Sequence, residues 1–398
     1  MSNKRTYFDF NATAPLRDQA REAVFDALSS VGNASSVHGE GRRAHACIEH
    51  AREAVAALVG VAPDGVTFTS GGTEANHLAF AQVAARNASV ILISAIEHPS
   101  VVAAAEKAGA ETGLSVIEIP VNADGRLDLE ALSGLLAASG SRPFVSVMAA
   151  NNETGVVQPI LAISQLVKEA GGVLHADVIQ IAGKESFDLG SNGVDMATLS
   201  AHKIGGPQGV GAFVLATDAS VVARQTGGGQ ERGRRSGTEN VSGIAGFGAA
   251  AEAALAEMRD GAVERVRTLR DDLEVRLQRS GADITIFGRG VDRLPNTSCF
   301  SAPGLKAETL LMQLDLGGFA VSAGAACSSG KVARSHVLAA MGVEERLSAG
   351  AIRVSLGWSS TEEEVEMFAQ AWIRAACTVS GVADRVPTTA TTLAVAEG

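Results

Sequence analysis

The chain has 398 residues, 46% of them apolar and 19% charged, which excludes a disordered chain and gives length for a large core in about two domains. A formal net charge of −11 argues against direct nucleic-acid binding, which needs basic surface against phosphate. No signal-length apolar segment follows Met1, no run is apolar enough to span a bilayer, and Cys47, Cys299, Cys327 and Cys377 lack the paired spacing of a zinc site, so the expectation is a reducing, cytoplasmic compartment with no membrane contact.

In chain order, Tyr7 to Pro15 reads as an extended arm followed by a Pro-initiated helix. A long helix is expected from Gly39 through Ala57. Val66-Thr67-Phe68-Thr69-Ser70 is a β-branched strand, and Gly71-Gly72-Thr73-Glu74 turns it into a helix over Ala75 to Ala85. Such a turn aims backbone N–H groups and a positive dipole end at one point, where an anion can sit. Taken alone it reads equally as an ordinary capped connection.

Strands and helices then alternate. Strands are expected at Ser89–Ser94, Ser115–Ile119, Phe144–Ala149, Gly172–Ala176, Val194–Leu199 and Gly211–Leu215. Between them, Leu127–Ala138 and Ile160–Ala170 read as helices. Near-continuous apolar strands separated by helices imply an α/β fold with a mostly parallel sheet covered on both faces. Ligands of such sheets bind outside the carboxyl ends of the strands. His98, Asn152, Asp177 and Lys203 each lie just past such an end. Any one of them alone is as readily a cap or turn residue; together they suggest one site. A lysine held at a strand-to-loop junction can lose hydration, lower its pKa and become a nucleophilic amine.

Gly227 to Thr238 is a polar, Gly-rich loop with three arginines, open to reading as a linker or as a loop that reaches an anionic ligand. Asn240 to Arg279 is helical, with a hinge expected between Arg259 and Glu264, and a smaller α+β domain follows, with strands near Ile284–Phe287 and Thr297–Phe300. The expected division is 16–258 for the large domain, 1–15 with 259–384 for the small one, and 385–398 as a tail. Cys327 stands in a run of small residues, Val321 to Lys331, where a thiol is reactive if something favours the thiolate. The other three cysteines read as small buried hydrophobes. Ala351 to Gly357 is a strand carrying Arg353 among apolar neighbours, and a buried arginine calls for a carboxylate.

Several motifs stand in order: Asn33 to His38, Thr69 to Glu74, Glu97-His98, Asn151 to Gly155, His175-Ala176-Asp177, Ser200 to Lys203, Arg235 to Thr238, and Ala323 to Gly330. With them the chain resembles a cysteine desulfurase of the class V aminotransferases. The resemblance runs from Tyr7 to about Ala376. It implies the fold type I architecture of pyridoxal 5'-phosphate enzymes, with a seven-stranded sheet in the large domain. It implies Lys203 as the Schiff-base lysine, Asp177 facing the pyridine nitrogen, and His98 stacked on the ring and moving protons. Asn152 and Gln180 fall near the phenolic oxygen, and Gly72, Thr73, Ser200 and His202 around the phosphate. Thr238 comes from the second subunit of a homodimer.

By the same resemblance Arg353, with Asn152, binds the carboxylate of L-cysteine, and the freed Lys203 removes the α-proton. The Cys327 thiolate then takes the sulfur as a persulfide, leaving L-alanine. The loop from Ala323 to Gly330 is similar to the longer-loop group that serves iron–sulfur cluster assembly. This implies a sulfur-acceptor protein such as a scaffold, and transient cluster contact at Cys327. No metal site is implied. The motifs depart from the family's usual run at Asn11-Ala12-Thr13-Ala14-Pro15 and at Ala325-Ala326; neither removes a group the chemistry needs. Selenocysteine lyase and a fold type I aminotransferase are the other activities open to such a site, although a transaminase has no need of Cys327. A non-catalytic scaffold is the alternative of a different class, but Lys203, Asp177 and His98 are all present.

Overall fold

Alternate residues of the central strands feed two different cores, and this fixes the architecture. The computed structural model describes residues 5–217, 219–323 and 334–380. Its strands are β1 (Thr6–Tyr7), β2 (Val66–Thr69), β3 (Ile91–Ser94), β4 (Val116–Ile119), β5 (Phe144–Met148), β6 (Val173–Asp177), β7 (Met196–Ser200), β8 (Gly211–Leu215), β9 (Thr285–Ile286), β10 (Thr297–Ser301), β11 (Phe319–Ala320), β12 (Ser322–Ala323) and β13 (Ile352–Ser355). Leu92, Val145, Val147, Ala212 and Val214 point into one buried cluster. Their neighbours Ile91, Ile93, Phe144, Phe213 and Leu215 point into another. A sheet buried on both faces has apolar residues at odd and even positions alike, which is why these strands read as unbroken apolar runs.

The seven strands are ordered β2-β8-β7-β6-β5-β3-β4. Neighbours are parallel except at β8, which runs antiparallel to both β2 and β7. The seven-stranded, mostly parallel sheet expected above is therefore the observed one. Helices Asp18–Leu28, Gly39–Leu58 and Val241–Arg259 pack together beside it.

A third cluster joins Phe8 to Leu273, Phe300, Ile352, Phe368 and Trp372. It lies between the antiparallel sheet β12-β13-β10-β9 and the helices Ala262–Arg279, Ala307–Leu316 and Glu362–Ser380. The N-terminal arm belongs here, since β1 pairs in parallel with β11 and Phe10 N donates to Ser355 O at 3.2 Å.

Two expectations need correction. The first helix begins at Asp18, not at Pro15. Arg17 is still extended, because its N–H is taken by Gly205 O at 2.9 Å rather than by a helical turn. The helix expected over Ala75–Ala85 starts earlier, at Gly72, and is split at Ala81 into Gly72–Phe80 and Gln82–Ala85. The long helical stretch does break where a hinge was expected, at Asp260-Gly261, with Gly261 at φ 77°. Among the described residues, no helix is long and apolar enough to cross a membrane.

Candidate active site

The carboxyl ends of β2, β3, β5, β6 and β7 open on one side of the large sheet, and a cavity of about 570 Å³ lies there. Its wall includes Gly72, Thr73, His98, Asn152, Asp177, Gln180, Ser200, His202, Lys203 and Arg353. Ten of the twelve predicted site residues are thus brought together. Thr238 does not line this cavity; it is exposed. Cys327 lies outside the described residues.

Lys203 ends a short 3-10 turn, Ala201–Lys203, directly after β7. Its Nζ donates to Asn11 O at 2.7 Å and to Ala12 O at 2.8 Å. Burial, and then the nearby Arg353 cation, bring its pKa down to about 8. The turn is tied from behind by Arg17. Its Nε donates to Ile204 O at 2.7 Å, its guanidinium pairs with Glu257, and it lies 3.7 Å over the Trp358 ring. Gly205, at φ 84°, has to be glycine because a Cβ there would stand 2.6 Å from both Arg17 Cγ and Trp358 Cη2.

Asp177 closes β6 and is 5% exposed. Its Oδ1 accepts from Ile179 N at 3.0 Å and its Oδ2 from Asn76 Nδ2 at 3.1 Å. Burial raises its pKa, while these two hydrogen bonds and the nearby His98 and Lys203 lower it. Asn76 Oδ1 is in turn held by the Thr198 hydroxyl at 2.7 Å. Beyond Thr198 stands His175, 3.4 Å away and bonded to Ser146 Oγ at 2.8 Å. Complete burial pushes the His175 pKa down to about 3, so the ring is neutral. The chain from Ser146 to Asn76 thus fixes the carboxylate's orientation without adding charge.

His98 caps the helix Pro99–Thr112 through Nδ1, which accepts from Ser100 N at 3.1 Å and lies 2.7 Å from Ser100 Oγ. The cap fixes the imidazole at the cavity wall, and burial lowers its pKa. Asn152 is set by its neighbour Asn151, whose Oδ1 accepts from Glu153 N at 2.9 Å and Thr154 N at 3.0 Å. His202 shares a 3.2 Å contact with Thr13 Oγ1, and its pKa falls to about 4.

The helix Gly72–Phe80 starts at the cavity with no side-chain cap. Thr73 is exposed at the rim and Ser200 is buried beside it. The close turn depends on Gly211, where a Cβ would be 2.6 Å from Gly71 C. Uncapped N–H groups, hydroxyls and a helix dipole in one place suit an anion.

Arg353 is 2% exposed. Its carboxylate partner is Asp9, bonded through Nη2 at 2.7 Å, while Nη1 donates to Asn152 O at 3.1 Å. Its Nε is buried with no partner.

Sequence reasoning missed four contributors: Asp9, Asn11, Asn76 and Lys184. Asn11 is a hub. Its backbone O accepts from Lys203 and from Gln180 Nε2 (3.1 Å), and its Nδ2 reaches Thr297 Oγ1 (2.9 Å) and Asn152 O (3.2 Å). It sits inside a motif already noted, so its place between Lys203 and the small sheet was the missing information. Among the other cysteines, Cys299 is fully buried and its thiol is pushed up by burial, while Cys47 is half-buried.

An amine of lowered pKa, a buried carboxylate and an anion cradle at the strand ends of such a sheet define a group-transfer site for an amine substrate. The family model for aminotransferase class-V matches residues 6–368, and the chain belongs to that family. It is 41% identical over 367 residues to a cysteine desulfurase of Cereibacter sphaeroides, covering 91% of this chain and 93% of that one. It is also similar to the X-ray structure of a NifS-like protein from Rickettsia africae, with a TM-score of 0.84, 34% identity, and 94% and 99% of the two chains covered. A structure described as SspA in complex with cysteine matches with a TM-score of 0.75 and 26% identity over 88% of this chain and 98% of that one.

Proposed function

We propose that this protein is a pyridoxal phosphate-dependent cysteine desulfurase, an enzyme that removes sulfur from L-cysteine and releases L-alanine. The observation that carries it is the convergence of Lys203, Asp177 and His98 on one cavity at the strand ends. The residues present fit the cofactor: an uncapped helix start for its phosphate, a buried carboxylate for its ring nitrogen, and an amine of lowered pKa for its aldehyde. When bound, the cofactor supplies an aldehyde that takes up amines and a ring that accepts electrons.

Lys203 would hold the cofactor and, when free of it, would take the substrate's α-proton at Nζ. Asp177, held by Asn76 and Ile179, would keep a proton on the ring nitrogen. His98 would lie against the ring. Asn152 and Gln180 would serve the phenolic oxygen, and Gly72, Thr73, Ser200 and His202 the phosphate. Arg353 would receive the substrate carboxylate together with Asn152. The Cys327 thiolate would attack the substrate sulfur: an S–S bond forms as the C–S bond breaks, the bonding pair leaves with the substrate carbon, which takes a proton on the way to L-alanine, and the enzyme is left as a persulfide.

Thr238 joins the phosphate site of a second subunit in a homodimer. Phe25, Leu28, Val31 and Val37 are exposed within one short stretch of chain, and apolar side chains left in water so near one another in sequence support that association. The proposed division into 16–258 and 1–15 with 259–384 is supported by the separate cluster around Phe8, Phe300 and Trp372. A protein acceptor such as an iron–sulfur scaffold takes the sulfur in the cytoplasm.

The test is mass spectrometry of Cys327 after incubation with L-cysteine. One added sulfur atom, abolished by Lys203→Ala, is expected; unmodified Cys327 alongside full alanine production would overturn the persulfide step.

A further inference from the structure

Behind Gln180, on the side away from the main cavity, stands a second lysine. Lys184 is placed four residues on by the turns that follow β6, where Ile181 N bonds Val178 O and Lys184 N bonds Ile181 O. Its Nζ donates to Gln180 Oε1 at 2.8 Å and to Asn11 Oδ1 at 3.1 Å. It does not line the main cavity; it faces a small cavity shared with Phe10, Trp358 and Lys203.

An amide has one donor end and one acceptor end, and its orientation is set by what the neighbours offer. At Gln180 the acceptor end is held by Lys184, whose Nζ donates to it at 2.8 Å. The donor end, Nε2, is thereby turned to Asn11 O at 3.1 Å, the same carbonyl that receives Lys203 Nζ at 2.7 Å. Asn11 Oδ1 is fixed in the same way by Lys184 and by Asn296 Nδ2 at 3.0 Å. Gln180 is 5% exposed, so a flipped amide would place a carbonyl oxygen against a carbonyl oxygen with no water to intervene.

We infer that Lys184 is a positioning residue, locking the Gln180 side chain with its N–H end toward Asn11 O, the carbonyl shared with Lys203, and available to the oxygen of a bound cofactor. The inference rests on the cofactor reading above. It gives Gln180 a defined polarity: a donor, which favours the ionised oxygen of the cofactor over the protonated one. Lys184 stands outside the lining of the main cavity, so it would act on the cofactor only through Gln180. Deep burial lowers its pKa strongly, and a neutral amine still donates both hydrogen bonds.

The test is the pH midpoint of the bound cofactor's absorption band in the holoenzyme. In Lys184→Met it is expected to rise by about one pH unit, because the donor to the ionised oxygen is no longer fixed. In a Gln180→Ala background, where the midpoint has already risen, adding Lys184→Met should move it no further. An unchanged midpoint in the folded Lys184→Met protein, or a second shift of full size on top of Gln180→Ala, overturns the inference. If the methionine variant does not fold, Lys184→Arg, which keeps the donors, must retain the wild-type midpoint, and a shifted one also overturns it. A wild-type protein with no such band overturns the cofactor reading itself, whereas a wild-type band with an unmoved variant counts against Lys184 alone.

Discussion

Asn76 Nδ2 stands 3.1 Å from Asp177 Oδ2 at a point where both residues are buried. The pair comes from different elements, the helix Gly72–Phe80 and the end of β6, so it couples the anion cradle to the carboxylate. Asn76 also donates to Ser100 Oγ at 3.0 Å, and Ser100 holds His98. One amide therefore braces three walls of the cavity.

Asn76→Ala should lower stability by about 1–3 kcal/mol, the usual cost of leaving buried polar partners unsatisfied. It should also weaken retention of pyridoxal phosphate. Asn76→Asp is the sharper case, since a second carboxylate beside Asp177 disfavours its charge. Cofactor titration of the two variants checks this, and Asn76→Asp binding as tightly as wild type would show that Asp177 is not braced through Asn76.

Lys203 gives a pH dependence with a definite sign. Its folded-state pKa, about 8, lies below the ordinary value of 10.5. Its contribution to stability is then fully present above 10.5 and is lost as pH falls through about 8. Uptake of pyridoxal phosphate by the apoprotein needs the neutral amine, so its rate should climb with pH around a midpoint near 8. Stopped-flow absorbance measures it, and a rate that stays flat across about pH 7 to 9 contradicts the lowered value.

The parts of this site that sequence made visible are those set by strand ends. His98, Asn152, Asp177 and Lys203 each follow an apolar strand, and a parallel sheet must bring such positions to one side. The supporting partners were hidden because they lie far along the chain. Asn11 meets Gln180 across 169 positions, and Asp9 meets Arg353 across 344. No periodicity reports on pairs of that kind. Pro15 shows the same effect in reverse: a local helix signal is overridden because Gly205, distant in sequence, takes the Arg17 N–H. Lys184 was closer to legible, since Gln180 and Lys184 are four apart, but the segment is a series of turns and gave no helical period to read.

Arg353 has two roles to distinguish. It is a structural partner of Asp9, and it also lines the cavity, where the proposed function has it receive the substrate carboxylate. Arg353→Lys keeps the charge but loses the planar fork. We expect KM for L-cysteine to rise about tenfold or more, as the loss of one charge-assisted hydrogen bond implies, with kcat changed much less. A purely structural arginine would instead lower the melting temperature and leave KM where it was. Steady-state kinetics beside a thermal melt separates the two.

The Gly-rich loop that carries Thr238 is anchored by an ion pair the sequence did not reveal. Arg52 meets Glu231 in a two-pronged contact at 2.8 and 2.9 Å, and Phe68 N donates to the same carboxylate at 2.8 Å. Glu231 and Arg232 both sit at positive φ, 49° and 58°, a conformation side-chain-bearing residues rarely adopt. The pair holds the loop against the helix Gly39–Leu58 and strand β2. Glu231→Leu leaves the buried Arg52 with Glu49 Oε1, at 3.0 Å from its Nε, as its remaining carboxylate partner and should cost about 3 kcal/mol, the low end for a broken buried pair, while Arg52→Met with Glu231→Leu should recover much of that. Recovery of stability need not restore function. If the pair's task is to present Thr238 to a second subunit, the double variant will melt near the wild-type temperature yet release pyridoxal phosphate faster. Equal release rates from the double variant and the wild type would mean that the loop keeps its place without this ion pair.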